Sequence, residues 1–141
     1  MRKMYDVFLS HRSVDKSWVS QLKKDLQRHQ VRVWLDQDEM RPGDVLVKAL
    51  EEGLARCRTV VLVVTPEALA SPWVRAEYDC AVTMAITQGK RLIPVLLRDT
   101  AMPGFLASRA WVDFRDPRAY HAQVAQLVRG ILETEIGRAH V

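Results

Sequence analysis

Glycine-rich phosphate loops are missing from this chain. Six glycines are spread over 141 residues, and none falls into a G-x-G-x-x-G after a strand or a G-x-x-x-x-G-K-[ST] before a helix. A Rossmann dinucleotide fingerprint and a P-loop are thereby excluded. Cysteine is as scarce: Cys57 and Cys80 stand alone, with no CxxC spacing and no histidine cluster beside them. Buried, reduced thiols on apolar helix faces are therefore expected rather than a disulfide or metal site, in a cytosolic, reducing setting. His11, His29, His121 and His140 show no ligand spacing, so metal chemistry is not expected. Long apolar runs are absent too. The run from Thr59 to Thr65 is far too short to cross a bilayer, and Met1 to Met4 lead straight into a strand-like pattern without a signal-peptide core. A cytoplasmic chain with no membrane partner is the expectation. Charge of one sign is also lacking: 21 basic against 17 acidic residues leave a formal +4. That excess favours anionic ligands, but without a basic stripe interleaved with aromatics it does not announce direct nucleic-acid binding.

What is present is the balance of a globular domain, 48% hydrophobic and 27% charged residues, enough to bury a core. Tyr5 to Ser10 reads as a buried first strand ending in polar Ser10, His11, Arg12 and Ser13. Trp18, Val19, Leu22 and Leu26 then recur at helical spacing, predicting a helix over about Val14 to His29 with Ser13 as its N-cap. Val31 to Leu35 is the second strand. The segment Asp36 to Gly43 is a polar loop, long for an α/β unit. Asp44 then caps a helix that turns Leu46, Ala49, Leu50, Leu54 and Cys57 inward.

Thr59 to Thr65 is a third strand, apolar on both faces as at the centre of a parallel sheet. Pro66 to Ala70 is a short helical stub, and Ser71 and Pro72 cap and start a helix to about Gln88, closed by Gly89. Arg91 to Leu97 is the fourth strand, where Pro94 predicts an irregularity or partial exposure. Ala110 to Phe114 is a short fifth strand, and Asp116 with Pro117 opens a last helix through Leu132. Residues 1–136 form one domain on this reading, with 137–141 a patternless tail. The alternation predicts a flavodoxin-like open sheet of about five parallel strands in the order 2-1-3-4-5, with helices on both faces. Ligands of such sheets bind at the carboxyl ends of the strands, beside the first and third. Ser10 to Ser13, Asp36 to Gly43 and Thr65 to Glu77 converge there.

A phospho-receiver site would need acidic residues at the first and third strand ends, where this chain has Ser10-His11-Arg12 and Thr65-Pro66. A Ser-His-Asp hydrolase is disfavoured, because Ser10 lacks a nucleophile elbow and His11 is poorly placed as its base. What remains is Tyr5-Asp6-Val7-Phe8-Leu9-Ser10-His11, then Val33-Trp34-Leu35-Asp36 leading to Met40-Arg41-Pro42-Gly43-Asp44, then Ser71-Pro72-Trp73-Val74-Arg75-Ala76-Glu77. In that order and spacing these runs resemble a TIR (Toll/interleukin-1 receptor) domain, most of all bacterial members of the NAD-cleaving type, over roughly Met4 to Leu132.

The resemblance implies homotypic assembly and cleavage of the nicotinamide–ribose bond of NAD+, as substrate and with no resident cofactor, in innate immune or antiphage defence. The family's catalytic glutamate ends a W-x-x-x-E pattern that matches Trp73 and Glu77, one helical turn apart on a shared face. Ala76 is smaller than the residue relatives often carry before that glutamate. Nicotinamide leaves as a neutral base, so no acid is needed, and an ionised glutamate can stabilise the oxocarbenium charge left on the ribose. Arg12 and Arg41 suit the pyrophosphate, Ser10, Ser13 and Asp36 the ribose hydroxyls, and Trp73 a stacking wall. The segment Asp36 to Gly43 corresponds to the family's BB loop, which gates the site and takes part in assembly; Asp38, Met40, Pro42 and Gly43 are its contact candidates. A sensor domain or partner chain that controls assembly is a further expectation.

Each residue also has a plainer reading. Glu77 can be a solvated helix carboxylate, Trp73 a packing residue, Trp34 core or rim, Arg12 and Arg41 surface charges, and His11 structural. Two other functions stay open on the sequence: a non-catalytic TIR–TIR signalling or scaffold module, and a domain that binds a nucleotide without cleaving it. Whether water or an internal nucleophile captures the ribosyl cation, giving ADP-ribose or a cyclic isomer, is not written in the sequence.

Overall fold

A computed structural model describes residues 4–11, 15–35, 46–107 and 110–139, without the side chains of Leu35, 46–50, Trp73, Phe105, Ala107 and 133–139. The elements are β1 (Tyr5–Ser10), α1 (Lys16–Arg28), β2 (Val33–Leu35), α2 (Leu46–Ala55), β3 (Cys57–Val64), α3 (Pro66–Ala70), α4 (Pro72–Thr87), β4 (Arg91–Leu96), α5 (Gly104–Ala107), β5 (Val112–Asp113), a 3-10 turn (Pro117–Ala119) and α6 (Tyr120–Ala139). The five strands form one sheet in the order β2-β1-β3-β4-β5, and every pairing is parallel. This is the flavodoxin-like arrangement expected from the alternation of elements.

Strand parity divides the core, because successive side chains point to opposite faces. Val7, Leu9, Val61, Val63, Ile93 and Val95 face one layer with Val19, Leu22 and Leu26 of α1 and Val124, Leu127 and Ile131 of α6. Phe8, Val60, Leu62, Val64, Leu92 and Leu96 face the other, with Leu54 of α2 and Val74, Tyr78, Ala81, Val82 and Ala85 of α4. Trp34 belongs to this second layer, 9% exposed and edge-on to Tyr5, which is the packing role expected for it.

Several boundaries differ from the sequence reading. Cys57 is not the inward end of a helix. It is the first residue of β3, paired with Tyr5, because β1 begins early enough to extend the ladder beyond the β-branched run. Burial pushes its thiol up to about 12, so it is inert at neutral pH. Cys80 is only half-buried, and both cysteines are free. The first helix starts at Lys16 with Asp15 in the N-cap position and no side-chain cap bond, since the Asp15 carboxylate binds Arg98 instead. The cap expected of Ser13 therefore has no place at that helix start, and Ser13 itself lies outside the described residues. Both α1 and α4 end in Schellman motifs: Val31 and Gln30 donate back to Leu26 and Gln27, and Lys90 and Gly89 to Ala85 and Ile86. Gly89 has the positive φ this needs, while Gln30 adopts the same left-handed conformation at φ 65° without being glycine.

Pro94 causes no irregularity; it is buried and paired with Leu62. Leu97 donates to Val64 of β3 and Leu96 accepts from Phe114. By alternation the nitrogen of Pro94 faces the β5 side, where pairing starts only at Val95 with Val112. No ladder donor is missed. The last helix runs to Ala139, so Gly137 to Ala139, expected to begin a patternless tail, continue the helix, and 140–141 lie outside the described residues. No helix among the described residues is long and apolar enough to cross a membrane.

Two contacts fix helix positions. A Cβ on Gly53 would lie 2.2 Å from Cε2 and 2.6 Å from Cδ2 of Phe8, so α2 approaches the sheet as closely as only glycine permits. Asp25 of α1, 5% exposed, accepts from the Tyr120 hydroxyl of α6 at 2.6 Å, from Gln21 at 3.1 Å and from Arg28 at 3.0 Å. The Tyr120 hydroxyl, then Gln21, hold its pKa below the ordinary aspartate value against the opposing effect of burial.

Gly53→Ala is expected to lower stability by about 1–3 kcal/mol in urea unfolding, because overpacking against the buried Phe8 ring outweighs the helix-propensity gain of about 1 kcal/mol. Tyr120→Phe removes a hydrogen bond to a charged group and should cost about 1.5–3 kcal/mol near neutral pH. The sign follows from the depressed folded-state value: the stabilisation is complete above the ordinary value of 3.8 and is lost as pH falls below it. Melting curves from pH 7 to pH 2 should therefore converge for wild type and variant at the acid end.

Candidate active site

The sheet has one switch point, between β1 and β3, and the two strands end there at different heights. Their register stops at Ser10 opposite Leu62, while β3 continues to Val64. The Val64 carbonyl bonds Leu97 on the β4 side, so by alternation the Val63 carbonyl faces the side that β1 has left. The Tyr78 hydroxyl donates to it at 2.5 Å. Among the described residues the Tyr78 hydroxyl is the donor that satisfies this buried carbonyl, and it pins α4 to the rim of the sheet.

The local sequence brings α4 to this place through two successive capped starts. Thr65, extended, accepts from Ala68 N at 3.0 Å and is followed by Pro66. Ser71 accepts from Val74 N at 3.3 Å and is followed by Pro72. Each pair supplies an N-cap oxygen and a proline whose missing N–H costs nothing in a first turn. The stub α3 therefore stops after one turn, and α4 restarts in a new direction.

Glu77 lies on the sheet-facing stripe of α4, beside Val74, Tyr78 and Ala81, and is 2% exposed. Ser10 has the parity of Phe8 and so faces α4. Its hydroxyl donates to Glu77 Oε1 at 3.1 Å. Ser10 is itself fully buried, as is His11 after it. The structure thus brings together Ser10 and Glu77, 67 residues apart in the chain, at the carboxyl ends of the strands. Trp73 is on the first turn of the same helix, with its side chain outside the description. Arg12, Ser13, Asp36, Asp38, Met40, Arg41, Pro42 and Gly43 all lie outside the described residues. The segment that carries most of them is anchored at Leu35, the end of β2, and at Leu46, the start of α2.

Three features of this rim were not found from the sequence. Tyr78 is one; its signal was a hydroxyl-bearing aromatic on the otherwise apolar stripe of α4. The second is Arg98, which follows β4 and joins the other strand-end segments. Its Nη2 donates to Asp15 at 2.8 Å and to Glu67 of α3 at 3.0 Å, and its Nε to Glu67 at 3.3 Å. No sequence spacing announces such a bond. The third is the Thr65 cap, legible in the Thr-Pro pair.

Chemically, the site offers a carboxyl group withdrawn from water with a hydroxyl beside it. Asp15 and Glu67, on the segments that follow β1 and β3, bind Arg98. Among the described residues Glu77 has no carboxylate partner, and a single carboxylate suits binding of sugar hydroxyls or stabilisation of a transient cation better than paired acid–base hydrolysis. Among the described residues no group of three or more His, Cys, Asp or Glu could hold a metal ion.

Comparison with known proteins bears on the family of the chain. Over 92 residues the chain is 33% identical to the NAD(+) hydrolase TcpA of a Theionarchaea archaeon, covering 64% of this chain and 28% of that protein. It is 30% identical over 94 residues to the 2′ cyclic ADP-D-ribose synthase BtTIR of Bacteroides thetaiotaomicron, covering 66% and 33%. The chain thus spans about a third of the length of these curated relatives. Among solved structures, the TIR domain of the Toll-related receptor TRR-2 from Hydra magnipapillata superimposes with a TM-score of 0.74 at 19% identity, covering 91% of this chain and 98% of that one. The TIR domain family model matches residues 7–128, a span that includes β1 from Val7 onward, the other four strands, Ser10 and Glu77, and the chain belongs to the TIR domain family.

Proposed function

We propose that this domain cleaves the nicotinamide–ribose bond of NAD+, with Glu77 as the catalytic carboxylate. The observation that carries the reading is the burial of Glu77 against Ser10 at the carboxyl end of β1, within a family whose curated members include NAD(+) hydrolases and 2′ cyclic ADP-D-ribose synthases. Burying a carboxyl group costs stability, and a core stripe that otherwise carries Val74, Tyr78, Ala81 and Ala85 has no structural need of one.

The mechanism follows from charge. The pyridinium of NAD+ is cationic, so as the glycosidic bond breaks, nicotinamide departs neutral and the positive charge passes to the ribose. A carboxylate held in a site of low effective dielectric stabilises that oxocarbenium ion more strongly than water does. The Ser10 hydroxyl holds one oxygen of Glu77 and leaves the other for the ribose. Water then captures the cation to give ADP-ribose, or an internal nucleophile closes a cyclic isomer. In this reading Trp73 walls the sugar, Arg12 and Arg41 take the pyrophosphate, and Ser13 and Asp36 take ribose hydroxyls.

β2 ends at Leu35, paired with Leu9 and so next to the end of β1, and the segment Asp36 to Gly43 follows it in the chain, which supports reading that segment as gate and as contact between copies through Asp38, Met40, Pro42 and Gly43. A site completed by a neighbour's loop is active only on assembly, under the control of a sensor domain or partner chain.

Glu77→Gln keeps an oxygen to accept from Ser10 and so keeps the fold. It should lower nicotinamide release from NAD+, followed by chromatography, by about 10²–10³-fold, the usual loss on removing one preorganised electrostatic group. Equal release by both proteins would end the catalytic assignment. The rate per mole of enzyme should also rise with protein concentration in step with the mass seen by light scattering. A constant rate on a species that stays monomeric would remove the assembly requirement.

A further inference from the structure

Glu77 and Tyr78 are consecutive residues of α4, and their side chains bind the two strands that part at the switch point. Glu77 Oε1 accepts from Ser10 at the end of β1. The Tyr78 hydroxyl donates to the Val63 carbonyl of β3, one residue beyond the last β1–β3 pair, Ser10 with Leu62. Successive side chains of an α-helix diverge by about 100° around its axis, so α4 straddles the parting with one group on each strand. One bond would set the height of the helix and still let it roll about its axis. A second bond at another azimuth stops the roll.

The two bonds are unequal. An O–H···O bond is usually about 2.7–2.8 Å long. The Tyr78 bond, at 2.5 Å, lies at the short end, and Tyr78 is fully buried. The Ser10 bond, at 3.1 Å, is longer than usual. The stiffer anchor is thus the one beside Glu77 and not the one Glu77 makes itself. The other contacts of this face of α4 come from Val74, Ala81, Val82 and Ala85, whose apolar packing is non-directional. A phenyl ring at position 78 would fill the same space, so the hydroxyl contributes direction rather than volume.

We infer that Tyr78 is a positioning residue for the nicotinamide–ribose cleavage proposed above: through Val63 it holds α4 at the height and roll that present the free oxygen of Glu77 to the ribose. The inference rests on that reading of Glu77. A carboxylate moved by a fraction of an ångström leaves the other contacts of bound NAD+ in place but stabilises the oxocarbenium ion less, since a misplacement of about 1 Å costs up to about 10²-fold in rate. The loss therefore falls on kcat and spares KM.

Nicotinamide release from NAD+ by the whole chain tests it, at a protein concentration where light scattering gives every variant the same mass. Tyr78→Phe should lower kcat about tenfold or more and leave KM within about twofold of wild type. Sucrose, which favours the compact state, is present throughout, and circular-dichroism melts verify that each variant is folded at the assay temperature. Tyr78→4-aminophenylalanine keeps the ring and a donor for Val63, and should recover kcat to within about threefold of wild type. A role in stability alone gives another pattern: Tyr78→Phe melts lower but turns over at the wild-type kcat while folded, and that result overturns the assignment. So does a loss carried by KM, or a 4-aminophenylalanine variant as slow as Tyr78→Phe. Glu77→Gln separates this inference from the reading beneath it. Wild-type release by Glu77→Gln ends both, whereas slow release by Glu77→Gln with a wild-type kcat in Tyr78→Phe ends only the role of Tyr78.

Discussion

The carbonyl of Val63 is the point on which this architecture turns. A parallel sheet in the order 2-1-3-4-5 must part its strands somewhere, and where the described part of β1 ends beside β3 a buried backbone acceptor needs a donor. Leaving it unsatisfied costs roughly 1–3 kcal/mol. The Tyr78 hydroxyl meets it, and the bond does more than fill a vacancy. It fixes the height of α4 on the sheet, and therefore the height of the preceding residue, Glu77, relative to Ser10. The Ser71–Pro72 start of α4 sets where the helix begins; Tyr78 sets where it stops sliding. The candidate site is thus a consequence of how the fold resolves its own switch point.

Glu77 is the counterpart of that constraint, a group that the fold tolerates rather than needs. A hydrogen bond from a neutral hydroxyl at 3.1 Å returns about 1–3 kcal/mol, whereas withdrawing a carboxylate from water costs several. An apolar residue on the same stripe would pack against Val74, Tyr78 and Ala81 at no such cost. Groups that work against stability in this way concentrate where chemistry is done. Ser10 limits the loss and holds the carboxyl group in one orientation.

The fold was legible because its signals are local and periodic. Alternation in β1 and β3, three-and-four spacing in α1, and the Ser71-Pro72 start of α4 each lie within a few residues. They gave the sheet order and the place of Glu77 on its helix. What escaped depends on contacts that spacing does not encode. Cys57 became a strand residue because Tyr5 pairs with it. Pro94 sits comfortably because β5 begins one residue beyond it. Asp15 displaced Ser13 at the head of α1 because it meets Arg98, 83 residues away. Gln30 ends α1 without the glycine that usually marks such a turn. Of the site itself, the Ser10–Glu77 pair was reachable through parity once the strand order was known, whereas Tyr78 was hidden among apolar neighbours whose period it shares.

Arg98 gives the rim its remaining coherence. The two core layers are separated by the sheet, and the segments at the carboxyl ends of β1, β3 and β4 would otherwise be tied only through the strands they follow. One guanidinium collects Asp15 from the first, Glu67 from the second, and carries its own place on the third. Exposed ion pairs usually contribute little, but Asp15 is only 3% exposed. Removing its partner would leave a buried, uncompensated charge, which is far costlier than losing a surface pair. Glu67 lies on α3, immediately before α4, so the clamp bears on the same helix that Tyr78 pins. Arg98 also lines, with Trp18, Phe114 and Tyr120, a concavity on the other face. A single side chain therefore touches both faces of the sheet at the rim where the chain brings its polar groups together.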